Sequence, residues 1–243
     1  MPTAVLIDGA YFIKRFRSIE PSNSYNAQRV ADCAHRWAIA HLRDGRRDKT
    51  RRDLYRIFFY DCPPLEKKMH YPTSSRSVDF SKSKEAIFRR ELHLLLRKKR
   101  KVAVRLGHLS TQVGWTLSPA LLDAILRKKK SVDELTDEDF HPAVRQKGVD
   151  MRIGIDISSL ALKRQVDQIV LLAGDADFVP AAKLARREGV DFVLDPMWRS
   201  VPEGLIEHID GLRSVCPKAA PRKSTAAEAA KPSCPTTPSR END

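Results

Sequence analysis

The stretch VDQIVLLAGDADFVPAAKLARREGVDFVL, Val166 to Leu194, decides the fold. Val166 to Ala173 is the most strongly apolar strand candidate in the chain, and Gly174 stops it. Phe178 to Glu188 has helical periodicity, with Pro180 in its first turn and Gly189 at its end. Val190 to Leu194 then predicts a last strand. Strand, helix and strand joined this closely mean parallel pairing, because a helix carries the chain back to the edge where the first strand began.

The same rhythm runs outward to the N-terminus. Ala4 to Ile7 is a short apolar run stopped by Asp8-Gly9, which predicts a buried strand. Val30, Cys33/Ala34, Trp37/Ala38 and His41 recur at helical spacing and predict a helix over Asn26 to Leu42. Leu54 to Tyr60 reads as a strand ended by Asp61 and the Pro63-Pro64 breaker, and Val102 to Leu106 as another. A basic helix is predicted over Lys82 to Lys99, with Ile87/Phe88, Leu92 and Leu95/Leu96 facing the core. Val149, Ile153, Ile157 and Leu160 mark one more helix. Ser110 to His141 reads as a helical insertion. The expected fold class is α/β, a mostly parallel sheet with helices on both faces. One domain spans residues 1–216, and Pro217 to Asp243, rich in Pro, Ala, Ser, Thr and charge, is expected to be a disordered tail.

Lys plus Arg total 44 against 31 for Asp plus Glu, a formal +13 that favours a polyanionic partner, nucleic acid first and an anionic membrane surface second. No apolar run approaches the roughly 20 residues needed to span a bilayer, and the first residues lack the pattern of a signal peptide. Cys33, Cys62, Cys216 and Cys234 stand far apart with no C-x-x-C pair, so a reduced, cytoplasmic protein is the simplest reading. No P-loop and no G-x-G-x-x-G turn calls for a nucleotide cofactor. Nothing bears on oligomeric state, and a homo-oligomer is left open.

In an open parallel sheet ligands bind beyond the carboxyl ends of the strands. Asp8 directly follows the first strand, and Asp175 follows the strongest one by a single glycine. Either can be an ordinary turn aspartate, but two acids at equivalent strand ends reinforce each other. Asp150, in Lys147-Gly148-Val149-Asp150, opens a helix, where the helix dipole favours a carboxylate. Asp156 falls within the apolar arc of that helix, so it needs a cation or several donors as partner; it reads as a supporting or structural residue. Asp177, just before Phe178, suits both a helix N-cap and catalysis. The basic clusters Arg43 to Arg52, Arg97 to Lys101, Arg127 to Lys130 and Arg186-Arg187 can hold a phosphate backbone, though each is more often a solvated surface. Tyr11, Phe12 and Trp115 are candidates for stacking bases, core packing being the commoner use.

Leu6-Ile7-Asp8-Gly9, Lys147-Gly148-Val149-Asp150 and Ala173-Gly174-Asp175-Ala176-Asp177-Phe178-Val179-Pro180 resemble, in order, the three acidic motifs of NYN-domain proteins. These are relatives of the PIN domains and include the bacterial LabA-like group. Tyr55 to Pro64 also resembles the family's second strand, and the likeness covers about Thr3 to Asp210. Two positions depart from it: Tyr11 stands where many members have Asn, and Ala176 where a hydroxyl is common.

The resemblance implies a PIN-like (Rossmannoid) fold and a divalent-metal-dependent ribonuclease, a hydrolase of RNA phosphodiesters. Its catalytic acids would be Asp8, Asp150, Asp175 and Asp177, the first three binding one or two Mg²⁺ or Mn²⁺ ions. Tyr11, Lys147, Arg97 and Lys98 are the candidates for contacting the substrate, RNA or single-stranded DNA. A haloacid-dehalogenase-like phosphohydrolase also uses an aspartate after its first strand, but wants a second Asp where this chain has Ala10. The other rival is a non-catalytic RNA-binding or regulatory module on the same fold.

Overall fold

The computed structural model of the chain describes residues 2–43, 52–110 and 113–220. Six parallel strands form the central sheet: β1 (Pro2–Asp8), β2 (Asp53–Asp61), β3 (Val102–Leu106), β4 (Gln168–Leu172), β5 (Asp191–Asp195) and β6 (Gly211–Leu212). Their spatial order is β6-β5-β4-β1-β2-β3. The order reverses between β1 and β4, so the crevice that parallel sheets use for ligands opens at the carboxyl ends of those two strands. The mostly parallel α/β expectation therefore holds. Val190 to Leu194 is not the last strand, however: β6 follows β5 and covers its free edge. Two residues are too few to show a period, which is why β6 left no mark in the sequence.

Alternation along the strands divides the core. Ala4 and Leu6 of β1, with Ile169 and Leu171 of β4, pack under α5 (Val149–Leu162), α6 (Val179–Arg187) and α7 (Glu203–Ile206). Val5, Ile7, Val170 and Leu172 point the other way, under α1 (Gly9–Ile19), α2 (Ala27–Ala40) and α3 (Lys84–Arg97). Each buried Leu or Ile contributes roughly 1.5–3 kcal/mol. In α3, Phe88, Leu92 and Leu96 face inward as expected, but Ile87 is 52% exposed because it lies one residue off their 4-residue stripe.

Helix α1 has no counterpart among the predicted elements, since Gly9 at its start reads as a stop. Tertiary packing explains that glycine. A Cβ on Gly9 would come within 2.5 Å of the Tyr60 carbonyl oxygen and 2.6 Å of the Phe59 ring. The helix then buries Phe12, Ile13 and Phe16. The segment expected to be a helical insertion is more mixed. It holds one helix, α4 (Pro119–Leu126), and short 3₁₀ turns. Two antiparallel pairs close it off, Trp115–Leu117 with Phe140–Pro142 and His108–Leu109 with Gln146–Lys147. No helix among the described residues is long and apolar enough to cross a membrane. Most of the expected tail, residues 221–243, lies outside the described residues, as does most of the basic cluster between Arg43 and Arg52.

Candidate active site

Asp8 ends β1 and caps α1: its Oδ1 accepts the Tyr11 N–H at 3.1 Å. Burial pushes its carboxyl up to about 6; the Tyr11 N–H pulls the other way, and the Asp150 charge adds to the rise. Asp150 stands in the first turn of α5, which starts at Gly148 with φ +78°. Partial burial raises Asp150 too, and the charges of Asp175 and Asp177 raise it further. The helix dipole that favours an anion there does not offset these like charges. Asp150 is thus within electrostatic reach of each of the other three acids named from the sequence.

Asp175 and Asp177 exchange one expected role. Asp175 is the cap: its Oδ1 accepts the Asp177 N–H at 3.2 Å and opens the 3₁₀ turn Ala176–Phe178. Asp177 caps nothing, since the N-cap of α6 is Phe178 and no side chain caps that helix. Its carboxylate is exposed and has no hydrogen-bond or ion-pair partner among the described residues. Gly174 lets the turn form against Tyr11, because a Cβ there would sit 2.5 Å from the Tyr11 ring.

Of the other sequence candidates, Tyr11 and Lys147 stay near the acids and the rest are committed elsewhere. Asp156 found its partners in Tyr60, whose hydroxyl donates to Oδ2 at 2.7 Å, and in Arg105, 3.3 Å from the same oxygen. Burial and the neighbouring Asp156 charge push the Tyr60 hydroxyl well above its ordinary range. Asp156 therefore anchors α5 to the sheet and does not join the cluster. Arg97 and Lys98 end α3 just before β3 begins, at the amino edge of the sheet. That is the edge opposite Asp8. Tyr11 spends its hydroxyl on the Pro196 carbonyl, 2.6 Å away, and burial holds its pKa up at about 12. Phe12 is buried. Trp115 stacks on Tyr71 with centroids 4.7 Å apart and donates to the His70 carbonyl at 2.8 Å. Lys147 is exposed three residues before Asp150, on the site's side of the molecule.

Two more strand ends carry aspartates that the sequence reading did not weigh. Asp61 ends β2 fully buried; Arg89 holds one oxygen and His93 the other, at 2.8 Å. Asp195 ends β5 equally buried, 2.9 Å from His41 and accepting the Met197 N–H at 2.7 Å. Strand-end position alone would have flagged both. What separates them from Asp8 and Asp175 is that their oxygens are committed inside the fold.

Two grooves begin near the acids, one lined by Ala10, two residues after Asp8, and the other by Asp150 and Asp177 themselves. One, of about 700 Å³, runs down α1 from Ala10 past Lys14 and Arg17, with Arg89 on its wall. Glu85 holds Arg17 and Arg89 in place, at 2.7 Å from each. Lys14 has no side-chain partner among the described residues, and is free to meet an anion. The other groove, of about 910 Å³, opens between α5 and α6 from Asp150 and Asp177 past Met151, Ile155 and Leu184. Among the described residues, no group of three or more His, Cys, Asp or Glu side chains is already drawn together tightly enough to hold a metal ion.

The NYN domain model matches residues 2–211 of the chain. The chain belongs to the NYN domain family. The match takes in β1 to β5, the first residue of β6 and all four acids. NYN domains are generally PIN-like nucleases, and such nucleases typically use divalent metals. At that coarse level the family makes this protein a nuclease-type hydrolase with a nucleic-acid substrate. No curated protein and no solved structure matches the chain.

Proposed function

We propose that this NYN domain is a divalent-metal-dependent ribonuclease whose site is Asp8, Asp150, Asp175 and Asp177. One observation carries the reading: among the described residues no cationic side chain is paired to any of the four carboxylates, while burial first, and then the charges of neighbouring acids, raise Asp8 and Asp150. Like charges left in this state are a standing cost that a divalent cation would relieve.

The donor chemistry fits Mg²⁺ or Mn²⁺. All candidate ligands are carboxylate oxygens, which hard cations prefer, and Mg²⁺ keeps several waters while touching only one or two carboxylates. Such a site does not need three side chains closed on one point. Asp8, Asp150 and Asp175 would hold the ion, which when bound supplies Lewis acidity for attack on the phosphodiester.

The chain's own groups do the remaining work. The Tyr11 N–H holds the Asp8 carboxylate at the floor of the crevice, and the turn N–H of Asp177 orients Asp175. Asp177, exposed and unpartnered, accepts the proton released by the attacking water. Lys14, Arg17 and Arg89 line the groove that takes the adjoining phosphates, with the free Lys14 ammonium making the direct contact. Net charge supports a polyanion in that role. Cys33, Cys62 and Cys216 are buried free thiols, in keeping with work in the reducing cytoplasm.

The test is cleavage of a mixed-sequence RNA by purified protein with Mn²⁺, with Mg²⁺ and with a chelator. Metal-dependent cleavage that Asp175→Asn abolishes supports the proposal. Equal cleavage by parent and variant, or RNA binding with no cleavage under any metal, overturns it; the second result leaves a non-catalytic RNA-binding module.

A further inference from the structure

Trp198 is the large aromatic side chain most exposed at the carboxyl edge of the sheet, with 48% of its surface open to solvent. It sits in the loop after β5, and contacts lead from that loop back to the acids. The Tyr11 ring lies against Gly174, next to Asp175, and its hydroxyl donates to Pro196. Arg15 in α1 donates from Nε and Nη2 to the Met197 carbonyl at 3.2 and 2.8 Å.

The backbone that presents the indole is costly. Met197 and Trp198 have φ of +47° and +65°, two successive bulky residues in the left-handed region. Several bonds hold them there. Asp195 accepts the Met197 N–H, Ser214 Oγ accepts the Trp198 N–H at 3.0 Å, and the Cys216 carbonyl accepts the indole Nε1–H at 2.6 Å. Met197 itself is buried, so the conformation tucks one side chain in and turns the next out as a fixed plate.

One cation lies over the plate and another follows it in the chain. The Lys218 ammonium lies 4.6 Å from the ring centroid, and the exposed Arg199 guanidinium has no partner among the described residues. The Tyr11 hydroxyl senses both the Arg199 charge and the Asp8 charge, which puts the plate's cation and the catalytic edge within one electrostatic neighbourhood.

We propose that Trp198 is a stacking platform for one base of single-stranded RNA, with Arg199 and Lys218 taking the flanking phosphates. An aromatic plate with cations beside it is the combination that single-strand binders use, stacking on the base and pairing with the backbone. A base would displace Lys218 from the ring, because an exposed cation–π contact is the weaker interaction. The displaced ammonium then meets a phosphate. The proposal rests on the ribonuclease reading for its substrate, but stacking needs no metal and no cleavage.

The experiment uses full-length protein in chelator at low salt, with a labelled oligouridylate of roughly 12 nucleotides followed by fluorescence anisotropy. Trp198→Ala should weaken binding about 10-fold or more, while Trp198→Phe, which also lacks the Cys216 hydrogen bond but keeps a ring, should stay within about 3-fold of the parent. Affinity retained by Trp198→Ala overturns the platform and leaves Trp198 as a protein-docking residue. Equal losses in the Ala and Phe variants also overturn it, since the hydrogen bond rather than the ring would then carry the effect. If the Trp198 pattern holds but no metal elicits cleavage, the ribonuclease reading fails and the platform stands.

Discussion

The Tyr11 hydroxyl donates to the Pro196 carbonyl at 2.6 Å, tying the first turn of α1 to the loop after β5 across the exit of β4. The ring between them fills the space that Gly174 leaves by having no Cβ. Tyr11→Phe should cost about 1 kcal/mol by leaving that carbonyl unpaired. Gly174→Ala should cost about 1–3 kcal/mol by overpacking. In a Tyr11→Ala background the Gly174→Ala penalty should largely vanish. Urea denaturation of the parent and these four variants checks this, and additive costs of Tyr11→Ala and Gly174→Ala would show that ring and glycine are not in register.

The raised Asp8 carboxyl has a pH signature. Its value of about 6 in the fold lies above the ordinary 3.8, so folding favours the protonated form. Metal-free protein should therefore be most stable, as far as Asp8 is concerned, below pH 4. It should lose that contribution as pH rises towards 6, and show no further loss above. Asp8→Asn keeps an N-cap acceptor and should make metal-free protein about 2 kcal/mol more stable at pH 7. Mn²⁺ should reverse the order by stabilising only the parent. Thermal melts at pH 4 and pH 7, with and without Mn²⁺, read all four conditions.

The strand-end aspartates should divide cleanly into two kinds. Asp61→Ala strips a buried partner from Arg89 and His93, both largely buried themselves. It should cost about 3–5 kcal/mol. Asp177→Ala removes an exposed, unpartnered carboxylate and should change stability by less than about 0.5 kcal/mol while abolishing cleavage. Denaturant midpoints paired with single-turnover RNA cleavage separate the two, and a destabilised Asp177→Ala protein would contradict the assignment.

Lys14 predicts a salt effect. If its free ammonium meets a phosphate, Lys14→Ala should lower the slope of log affinity against log salt by about 0.7–0.9 for a single-stranded substrate or duplex. Folding stability should not move, because the side chain has no partner to lose. Arg97→Ala, at the far edge of the sheet, should leave both unchanged. Titrations at several salt concentrations, with Lys14→Ala and Arg97→Ala beside the parent, decide it.

Much of this molecule was legible from local pattern. The apolar run Ala4 to Ile7, and Ile169 to Ala173 within the predicted strand Val166 to Ala173, belong to central strands buried on both faces, so they showed as unbroken hydrophobic stretches. Their ends located Asp8 and Asp175, and the start of the Val149 stripe located Asp150. Helix α1 and β6 escaped because one begins with a glycine chosen for packing and the other is two residues long. The role of Asp156 was half legible. Its place in an apolar arc demanded a partner, but not which one, and Tyr60 lies 96 positions away in the chain.

By itself, the sequence determined a mostly parallel α/β sheet, its two central strands and the acids at their ends, since burial on both faces and the turns that follow are written in neighbouring residues. Only tertiary structure decided which strand-end aspartates are available. Asp61 and Asp195 are sealed by Arg89, His93 and His41, while Asp8, Asp150, Asp175 and Asp177 have no cationic partner among the described residues. The reason is physical: a carboxylate's local sequence sets where it stands, but its availability depends on donors and charges brought in from distant parts of the chain.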